Sequence, residues 1–302
     1  RKNFSNAIYF YAPGLKRYQT REFENSEDPQ FVGVSITGSS CQLNCEHCRA
    51  KILKAMYPAQ DPQSLYELGS RLFDKGVKGM LVTGGSDHQG VVPLLDFCPA
   101  LRRLKDDFGF KIVVHTGLVD RQLAEGLAEA RVHAVMTDVI GSEDTIGEIY
   151  HLNAKVEDFE SSLSLLADCN LNLSPHIVIG LHHGRVLGEF RALELLSAFQ
   201  LASLVLVVLD PWIAEMSAPS PEEIGDIFSL ARKLFPETPV LLGCARPEGR
   251  EKREIDELAV RTGLNGIAYP AEGIVTLSRE LGLEPRFREN CCSLIFEEPN
   301  DG

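Results

Sequence analysis

Hydrophobic residues follow two alternating patterns along the chain. Short apolar runs rich in valine and isoleucine recur between segments whose apolar residues return every three or four positions. The short runs are typical of buried strands and the longer segments of amphipathic helices, so their alternation predicts a parallel sheet covered by helices. We predict strands near residues 32–37, 78–83, 111–115, 133–139, 173–179, 203–209, 238–243 and 265–269.

Helices are predicted between these strands, over residues 62–75, 91–105, 121–130, 156–168, 187–200, 221–234 and 252–262. Asp61-Pro62 and Ser220-Pro221 mark two helix starts, because a capping side chain followed by proline is typical of a first turn. Eight strands suffice to close a barrel, so we predict an α/β fold with a (β/α)8 barrel over residues 31–270. Residues 1–30 and 271–302 are predicted to be short extensions, and the second is expected to close the barrel.

Composition and charge narrow the functional classes. The 302 residues are 44% hydrophobic and 24% charged, which is typical of a globular protein. A net charge of −13 disfavours a nucleic-acid partner, since such affinity depends on Lys and Arg. No apolar run has the length of a membrane span or resembles a signal segment, so no membrane association is expected. The spacing of the eight cysteines does not suggest a disulfide scaffold, so we expect a reducing, cytoplasmic setting.

Three cysteines follow the first of the eight predicted strands with the spacing C-x3-C-x2-C: Cys41, Cys45 and Cys48. Thiolates are the usual ligands of a [4Fe–4S] cluster, and three of them leave one iron open. Zinc is the alternative, with His47 as a fourth ligand, but adjacent residues in so short a loop rarely converge on one ion. The loop is predicted to lie at the carboxyl ends of the strands, where barrel active sites are found.

This motif resembles the cluster loop of the radical SAM superfamily. The resemblance implies that the open iron binds S-adenosylmethionine (SAM), that the three cysteines form the catalytic cluster, and that a 5′-deoxyadenosyl radical abstracts hydrogen from a substrate. It also implies cofactor contacts along the strand ends, although helix capping and loop hydrogen bonds are the alternative role of such polar residues. The predicted cofactor-binding residues are His47, Gly84, Gly85, Ser86, His115, Asp138, Ile179 and Arg185.

The other cysteines divide into two sets. Cys98 and Cys169 fall in or beside predicted helices and are expected to be structural. Cys244 stands at the end of a predicted strand, and Cys291 and Cys292 lie in the C-terminal extension. We predict that these last three hold a second, auxiliary iron–sulfur cluster. The alternative is that Cys244 packs in the barrel and that the adjacent pair lies at the surface.

Two further pairs of residues are candidate ligands. Ser293 and Arg246 are unusual but available donors beside the second cysteine set. His182 and His183 follow a predicted strand, and successive side chains there point in different directions. We therefore predict no dedicated second metal at the two histidines.

Three segments resemble one particular group within this superfamily. Residues 34–48, residues 243–247 and Cys291-Cys292-Ser293 resemble the two-protein, biotin synthase-like lipoyl synthases. The resemblance implies sulfur insertion into an octanoyl-lysyl group on a lipoyl domain or glycine-cleavage carrier protein, with the auxiliary cluster as the sulfur source. It also implies a related radical SAM partner protein and a low-potential electron donor. Two alternatives stay open: a biotin synthase-like radical SAM enzyme acting on a small molecule, and a non-enzymatic iron–sulfur carrier.

Overall fold

The protein is described by a computed structural model that covers residues 3–298. Its strands are β1 Ala7–Tyr11, β2 Phe31–Ser35, β3 Tyr57–Pro58, β4 Gly79–Thr83, β5 Lys111–Thr116, β6 Ala134–Thr137, β7 His176–Ile179, β8 Leu204–Val208, β9 Val240–Leu242, β10 Gly266–Ala268 and β11 Glu284–Arg288. Its helices are α1 Pro62–Phe73, α2 Cys98–Phe108, α3 Arg121–Glu129, α4 Glu143–Tyr150, α5 Val156–Asp168, α6 Glu189–Leu196, α7 Pro211–Ala214, α8 Pro221–Leu234, α9 Gly249–Arg261 and α10 Ile274–Glu280.

The strands form two parallel sheets. One has the order β11-β1-β10-β9-β8-β7 and the other β3-β2-β4-β5-β6. Isolated parallel bridges, Val135 with Leu173 and Asp138 with His176, connect the two sheets between β6 and β7. The predicted α/β class is therefore confirmed. Within residues 3–298 no ladder joins the outer strands β3 and β11, so strand pairing does not show the closed eight-stranded ring.

Each of the eight predicted strands has a counterpart, in β2 and in β4 to β10. Three strands were not predicted: the two-residue β3, and β1 and β11 in the two predicted extensions. Strands β1 and β11 belong to the sheet, because β1 pairs with β10 on one side and with β11 on the other. Helices α4, α7 and α10 were not predicted either, and α4 lies beside the cysteine motif. The extensions are thus integral to the fold as well as candidates for closing it.

Two predicted helix starts are confirmed at the level of single hydrogen bonds. Asp61 Oδ1 accepts from the backbone N–H of Ser64 at 2.9 Å, with Pro62 in the first turn of α1. Ser220 and Glu223 form a reciprocal capping box at the start of α8. No helix in the described part of the chain is both long and apolar enough to cross a lipid bilayer.

The two faces of the strands have different neighbours. Alternate residues such as Val32, Val34 and Ile177 pack in the large core under the helices, which we call the outer face. The residues between them form the inner face, which is covered by a 3-10 helix over Cys292–Glu297. Leu294 from this 3-10 helix is fully buried among Phe31, Val113, Ala134 and Met136. The C-terminal segment therefore packs onto the inner face, as its predicted closing role requires.

Candidate functional site

The segment that carries the three-cysteine motif crosses the carboxyl ends of the strands. This cysteine loop, residues 36–50, is anchored to two neighbouring elements. The backbone N–H of Gln42 donates to the carbonyl of Ser86, just after β4, at 2.8 Å. The N–H of Glu46 donates to the carbonyl of Ile149 in α4 at 2.9 Å. The loop therefore has fixed positions at both ends of its cysteine run.

The three cysteines share one apolar environment. Cys45 is buried, Cys41 and Cys48 are half-buried, and all three pack in a cluster that includes Ile146 and Tyr150 of α4. The Cys45 thiol donates a hydrogen bond to Cys48, and this interaction outweighs burial and lowers the pKa of Cys48 to about 4. The same bond, together with burial, raises the pKa of Cys45. One thiolate is thus already favoured at neutral pH, as metal binding requires.

The spacing of the sulfurs bears on whether the loop suits a zinc ion or a [4Fe–4S] cluster. Within residues 3–298 the sulfurs of Cys41, Cys45 and Cys48 do not all lie within 4.8 Å of one another. Zinc holds its thiolates at about 2.3 Å and so needs them tightly convergent. A four-iron cluster spreads its cysteines over separate corners. The donor set and its spacing therefore fit the cluster better than a single ion.

Paired glycines bring β4 against the cysteine loop. A Cβ on Gly85 would collide with the Ser40 carbonyl and lie 2.5 Å from Cα and Cβ of Cys41. A Cβ on Gly84 would meet only side-chain atoms of Ile36 and Thr37, the nearest at 3.0 Å. Glycine at position 85 therefore permits a close approach of two backbones. The structure places Gly84, Gly85 and Ser86 beside the loop, as their predicted cofactor contact requires.

A line of polar and aromatic side chains runs from the cysteine loop across the inner face. The rings of His47 and Tyr150 lie 4.9 Å apart, and the Tyr150 hydroxyl donates to Asp138 Oδ2 at 3.2 Å. Asp138 Oδ1 lies 3.5 Å from His115 Nε2, and the His115 ring contacts that of His176 edge-on at 5.4 Å. The predicted residues His47, His115 and Asp138 therefore belong to one connected set.

The charges along this line are set by burial and by the neighbouring rings. Burial opposes ionisation of Asp138, but the hydrogen bond and charge of His115 outweigh it and hold the pKa of Asp138 well below its usual range. Burial works against protonation of His115, but Asp138 more than compensates and raises the pKa of His115. Burial and the charge of His115 lower the pKa of His176 to about 4. Asp138 and His115 are therefore favoured as an ion pair, and the neighbouring His176 as a neutral imidazole.

Tyr150 and His176 were missed as site residues. Tyr150 ends α4, which Ser142 caps through a 3.3 Å hydrogen bond from the Thr145 N–H. The Ser142-Glu143-Asp144 run is a typical helix start and would have revealed α4. His176 begins β7, and the sequence around it carries no local signal that would single it out. Its inner-face position follows only from the register of β7.

Two predicted cofactor residues lie away from this line. The side chain of Ile179 is fully buried in the outer-face core, and the cofactor contact predicted for this residue stays a prediction. The strand alternation that puts His176 on the inner face puts Ile179 on the opposite one. Arg185 is exposed in the turn after β7, where its N–H donates to the His182 carbonyl at 3.0 Å. The contact predicted for the Arg185 side chain stays a prediction.

The structure brings the second cysteine set together from distant segments. Cys244 follows β9, and Cys291 and Cys292 follow β11. A hydrogen bond with Cys291, then burial and the charges of Cys291 and Cys244, raise the pKa of Cys292. Desolvation by the surrounding protein raises the pKa of Cys244 to about 11, and the charge of Cys291 has a smaller effect in the same direction. Cys244 is nevertheless exposed to solvent. The charge of Cys291 also contributes to the raised pKa of His115, so the two residues lie within electrostatic range of each other.

The two unusual ligands considered for this set have other roles. Arg246 is buried, and its guanidinium forms two hydrogen bonds with Asp256, at 2.6 and 3.2 Å. The same group donates to the carbonyls of Gly243, Ala268 and Tyr269. Arg246 is therefore fully engaged and unavailable as a ligand. The Ser293 hydroxyl lies 2.9 Å from the Met136 sulfur.

Comparison with solved structures identifies the fold. Methylornithine synthase matches at a TM-score of 0.61 and 13% identity, over 95% of this chain and 86% of that chain. The FeFe-hydrogenase maturase HydG from Carboxydothermus hydrogenoformans matches at a TM-score of 0.60 and 12% identity, over 95% of this chain and 69% of that chain. SuiB from Streptococcus suis bound to S-adenosylmethionine matches at a TM-score of 0.54 and 11% identity, over 80% of this chain and 58% of that chain.

These three proteins are radical SAM enzymes, so the chain has the fold of that superfamily. At identities of 11 to 13% the likeness concerns the fold alone. No protein-family model matches the sequence, and no curated protein matches it either.

Proposed function

We propose that this chain is a radical SAM enzyme that inserts sulfur into an unactivated C–H bond, as one component of a two-protein lipoyl synthase. The observation that carries the radical SAM part is the cysteine loop. Cys41, Cys45 and Cys48 share one apolar cluster beside Gly85, and in the described residues that cluster contains no fourth cysteine. Three protein thiolates would leave one iron of a [4Fe–4S] cluster open.

Residues around the loop suit a bound SAM. When bound, the cluster and SAM supply the electron and the 5′-deoxyadenosyl radical that removes a substrate hydrogen. The His47 Nδ1 atom is buried and has no hydrogen-bond partner among the described residues, so it has capacity for a bound cofactor. Gly85 leaves the space that a side chain would fill. The apolar residues around the cysteines limit access of water to reactive intermediates.

The second cysteine set supports sulfur insertion. Cys244, Cys291 and Cys292 are within electrostatic range of one another and would hold an auxiliary iron–sulfur cluster. The Asp138–His115 pair lies between the two cysteine sets, since it contacts Tyr150 on one side and interacts with Cys291 on the other. We infer that the substrate carbon binds along this line, between radical source and sulfur source.

An exposed apolar rim suits an acylated carrier protein. Ile52 and Ile213 are 59% and 38% exposed, and the segments that carry them are joined by a hydrogen bond from Lys51 Nζ to the Ile213 carbonyl at 2.9 Å. Ile52 lies two residues after the end of the cysteine loop. An octanoyl chain on a lipoyl domain or glycine-cleavage carrier would pass such a rim. A related radical SAM protein and a low-potential electron donor complete the proposed set of partners.

One alternative function has support in the structure. Asp138, His115 and His176 give the inner face a polar character that also suits a small polar substrate. In that case the chain would be another biotin synthase-like radical SAM enzyme. A non-enzymatic iron–sulfur carrier is the third possibility, and it predicts no cleavage of SAM.

Anaerobic reconstitution with iron and sulfide tests the enzyme class. We expect about eight irons per chain if both clusters form, and about four if only the cysteine loop holds one. After reduction with dithionite and addition of SAM, 5′-deoxyadenosine should accumulate. Its absence from a protein that holds the cluster would support the carrier and refute the enzyme.

The substrate assay separates lipoyl synthesis from its alternative. The reduced protein, with and without the related partner protein, is incubated with SAM and an octanoyl-lysyl peptide. Mass spectrometry should detect a product that has gained sulfur. Formation of 5′-deoxyadenosine with no change in the peptide would favour the small-molecule enzyme.

A further inference from the structure

Two adjacent histidines and a glutamate converge next to the cysteine loop. Glu148 lies on α4, and His182 and His183 lie in the turn after β7. One ligand atom from each residue lies within 4.8 Å of the other two. This arrangement overturns the prediction that the two histidines diverge. That prediction assumed an extended strand, but β7 ends at Ile179 and His183 has a left-handed φ of 54°.

His182 is held in an orientation that suits metal binding. It is 4% exposed, and its Nδ1 atom is 3.2 Å from the Thr145 hydroxyl. Its Nε2 atom points instead towards Glu148, at 3.6 Å from Oε2. A hydrogen bond to one ring nitrogen fixes the tautomer and directs the other nitrogen at the ion, which is the usual arrangement of a metal-binding histidine.

The turn is held by an internal hydrogen bond and by a neighbouring segment. The N–H of Gly184 donates to the Gly180 carbonyl at 2.8 Å, and both glycines have positive φ values. A Cβ on Gly184 would collide with the Ser217 carbonyl, so a neighbouring segment presses on the turn. A left-handed conformation is strained for a non-glycine residue such as His183. The surrounding structure holds His183 in this costly conformation, which presents its ring beside that of His182 at 5.2 Å.

We propose that Glu148, His182 and His183 bind one divalent transition-metal ion of the zinc type. Two neutral imidazoles and one carboxylate form a donor set that zinc and its neighbours in the first row prefer. Magnesium and calcium select oxygen ligands and are disfavoured by the two imidazoles. Iron–sulfur clusters are disfavoured because the set contains no thiolate. The remaining coordination positions would be taken by water, since His183 and Glu148 are exposed.

The ion would connect two elements that shape the radical SAM site. Glu148 belongs to α4, which holds the cysteine loop through the hydrogen bond from Glu46 to Ile149. The histidines belong to the turn after β7. A metal bridge between them would fix α4 relative to the sheet. The inference does not depend on the proposed radical chemistry, because it concerns ligands outside both cysteine sets.

Zinc content of the reconstituted holoprotein tests the site. The protein is incubated with zinc, desalted and analysed for zinc and iron by inductively coupled plasma mass spectrometry. We expect about one zinc per chain in the wild type, with iron unchanged. His183→Ala and Glu148→Gln alter exposed side chains and should lose that zinc while they keep their iron. His88→Ala, which removes an exposed histidine elsewhere, should keep it.

Two results would overturn the proposal. One is a wild-type holoprotein that binds no zinc. The other is zinc that persists in both His183→Ala and Glu148→Gln, since cysteines would then be holding it. Thr145→Val gives a graded test, because loss of a hydrogen bond to a ligand typically weakens metal affinity about 10- to 100-fold. Zinc should also raise the melting temperature of the wild type and not of His183→Ala.

Discussion

The two cysteine sets are built in different ways. Cys41, Cys45 and Cys48 lie within eight consecutive residues of one loop, whose backbone determines their relative positions. Cys244 is brought to Cys291 and Cys292 by the packing of β9 and β11 in one sheet, with β10 and β1 between them. The first set therefore depends on local geometry and the second on the whole fold.

Their surroundings differ as well. The first set is enclosed by apolar side chains of the cysteine loop and α4. The second lies next to the protonatable His115 and to a buried ion pair at Arg246 and Asp256. The proposed function of each set can therefore be tested separately.

Substitution of single cysteines should distinguish the functions of the two cysteine sets most clearly. Cys45→Ala should lower the rate of SAM cleavage at least about a hundredfold, equivalent to about 2.7 kcal/mol, because it removes one of the three proposed cluster ligands. Cys291→Ala should leave SAM cleavage within about threefold of the wild type, or about 0.7 kcal/mol, and abolish any sulfur-containing product. Both rates are measured as 5′-deoxyadenosine formed under dithionite.

Cys169→Ser is the matched control, since Cys169 ends α5 and belongs to neither set. It should keep both activities and its full iron content. Equal loss of SAM cleavage in Cys45→Ala and Cys291→Ala would mean that the two sets do not have separate functions.

The buried ion pair between Arg246 and Asp256, next to Cys244, should contribute strongly to the free energy of unfolding. Asp256→Ala leaves the Arg246 guanidinium buried without its carboxylate, and breaking such a pair costs about 3–5 kcal/mol. We expect a corresponding drop in the free energy of unfolding in urea. Asp226→Ala, at an exposed position of α8, should change it by less than about 0.5 kcal/mol. A small effect of Asp256→Ala would show that the β9 end is held by other contacts.

The sequence was most informative where a signal is contiguous. The cysteine loop, the Gly84-Gly85 turn and the capped starts of α1 and α8 each depend on neighbouring residues, and the structure places them as expected. The βα alternation likewise predicted β2 and the strands from β4 to β10. Such predictions hold because the local preference of the residues agrees with the final fold.

Features that depend on register or on distant packing were missed. Ile179 and His176 both belong to β7, yet only the pairing of that strand decides which of them faces the site. The engagement of Arg246 by Asp256 and three carbonyls cannot be deduced from their spacing. The convergence of His182 and His183 depends on one left-handed residue. In each case a tertiary contact determines what a residue can do.

The close approach at Gly85 gives a smaller but more local test of the first set. Gly85→Ala should displace the Cys41 segment, since the new Cβ would collide with backbone at Ser40 and Cys41. Overpacking of this kind typically costs about 1–3 kcal/mol, so we expect lower iron retention and SAM cleavage reduced about tenfold. Gly84→Ala is the matched control, because the three atoms nearest to its new Cβ belong to side chains and lie at 3.0 Å or more, so its effect should be under about 1.5 kcal/mol. Equal effects of the two substitutions would contradict the assigned close approach.

The smallest effect at neutral pH is expected from His176, which lies between the two sets. Burial and the charge of His115 lower the pKa of His176 to about 4, from an ordinary value of 6.5. The unfolded chain therefore binds more protons between these pH values, so His176 makes the fold less stable as pH falls from 6.5 towards 4. His176→Gln removes this proton uptake and should flatten that part of the stability profile, with little change at pH values above about 7.5. Urea unfolding across this range measures it, and His88→Gln, at an exposed site, should keep the wild-type slope. An unchanged slope in His176→Gln would mean that this imidazole is already solvated and that the inner-face line is less enclosed than its contacts imply.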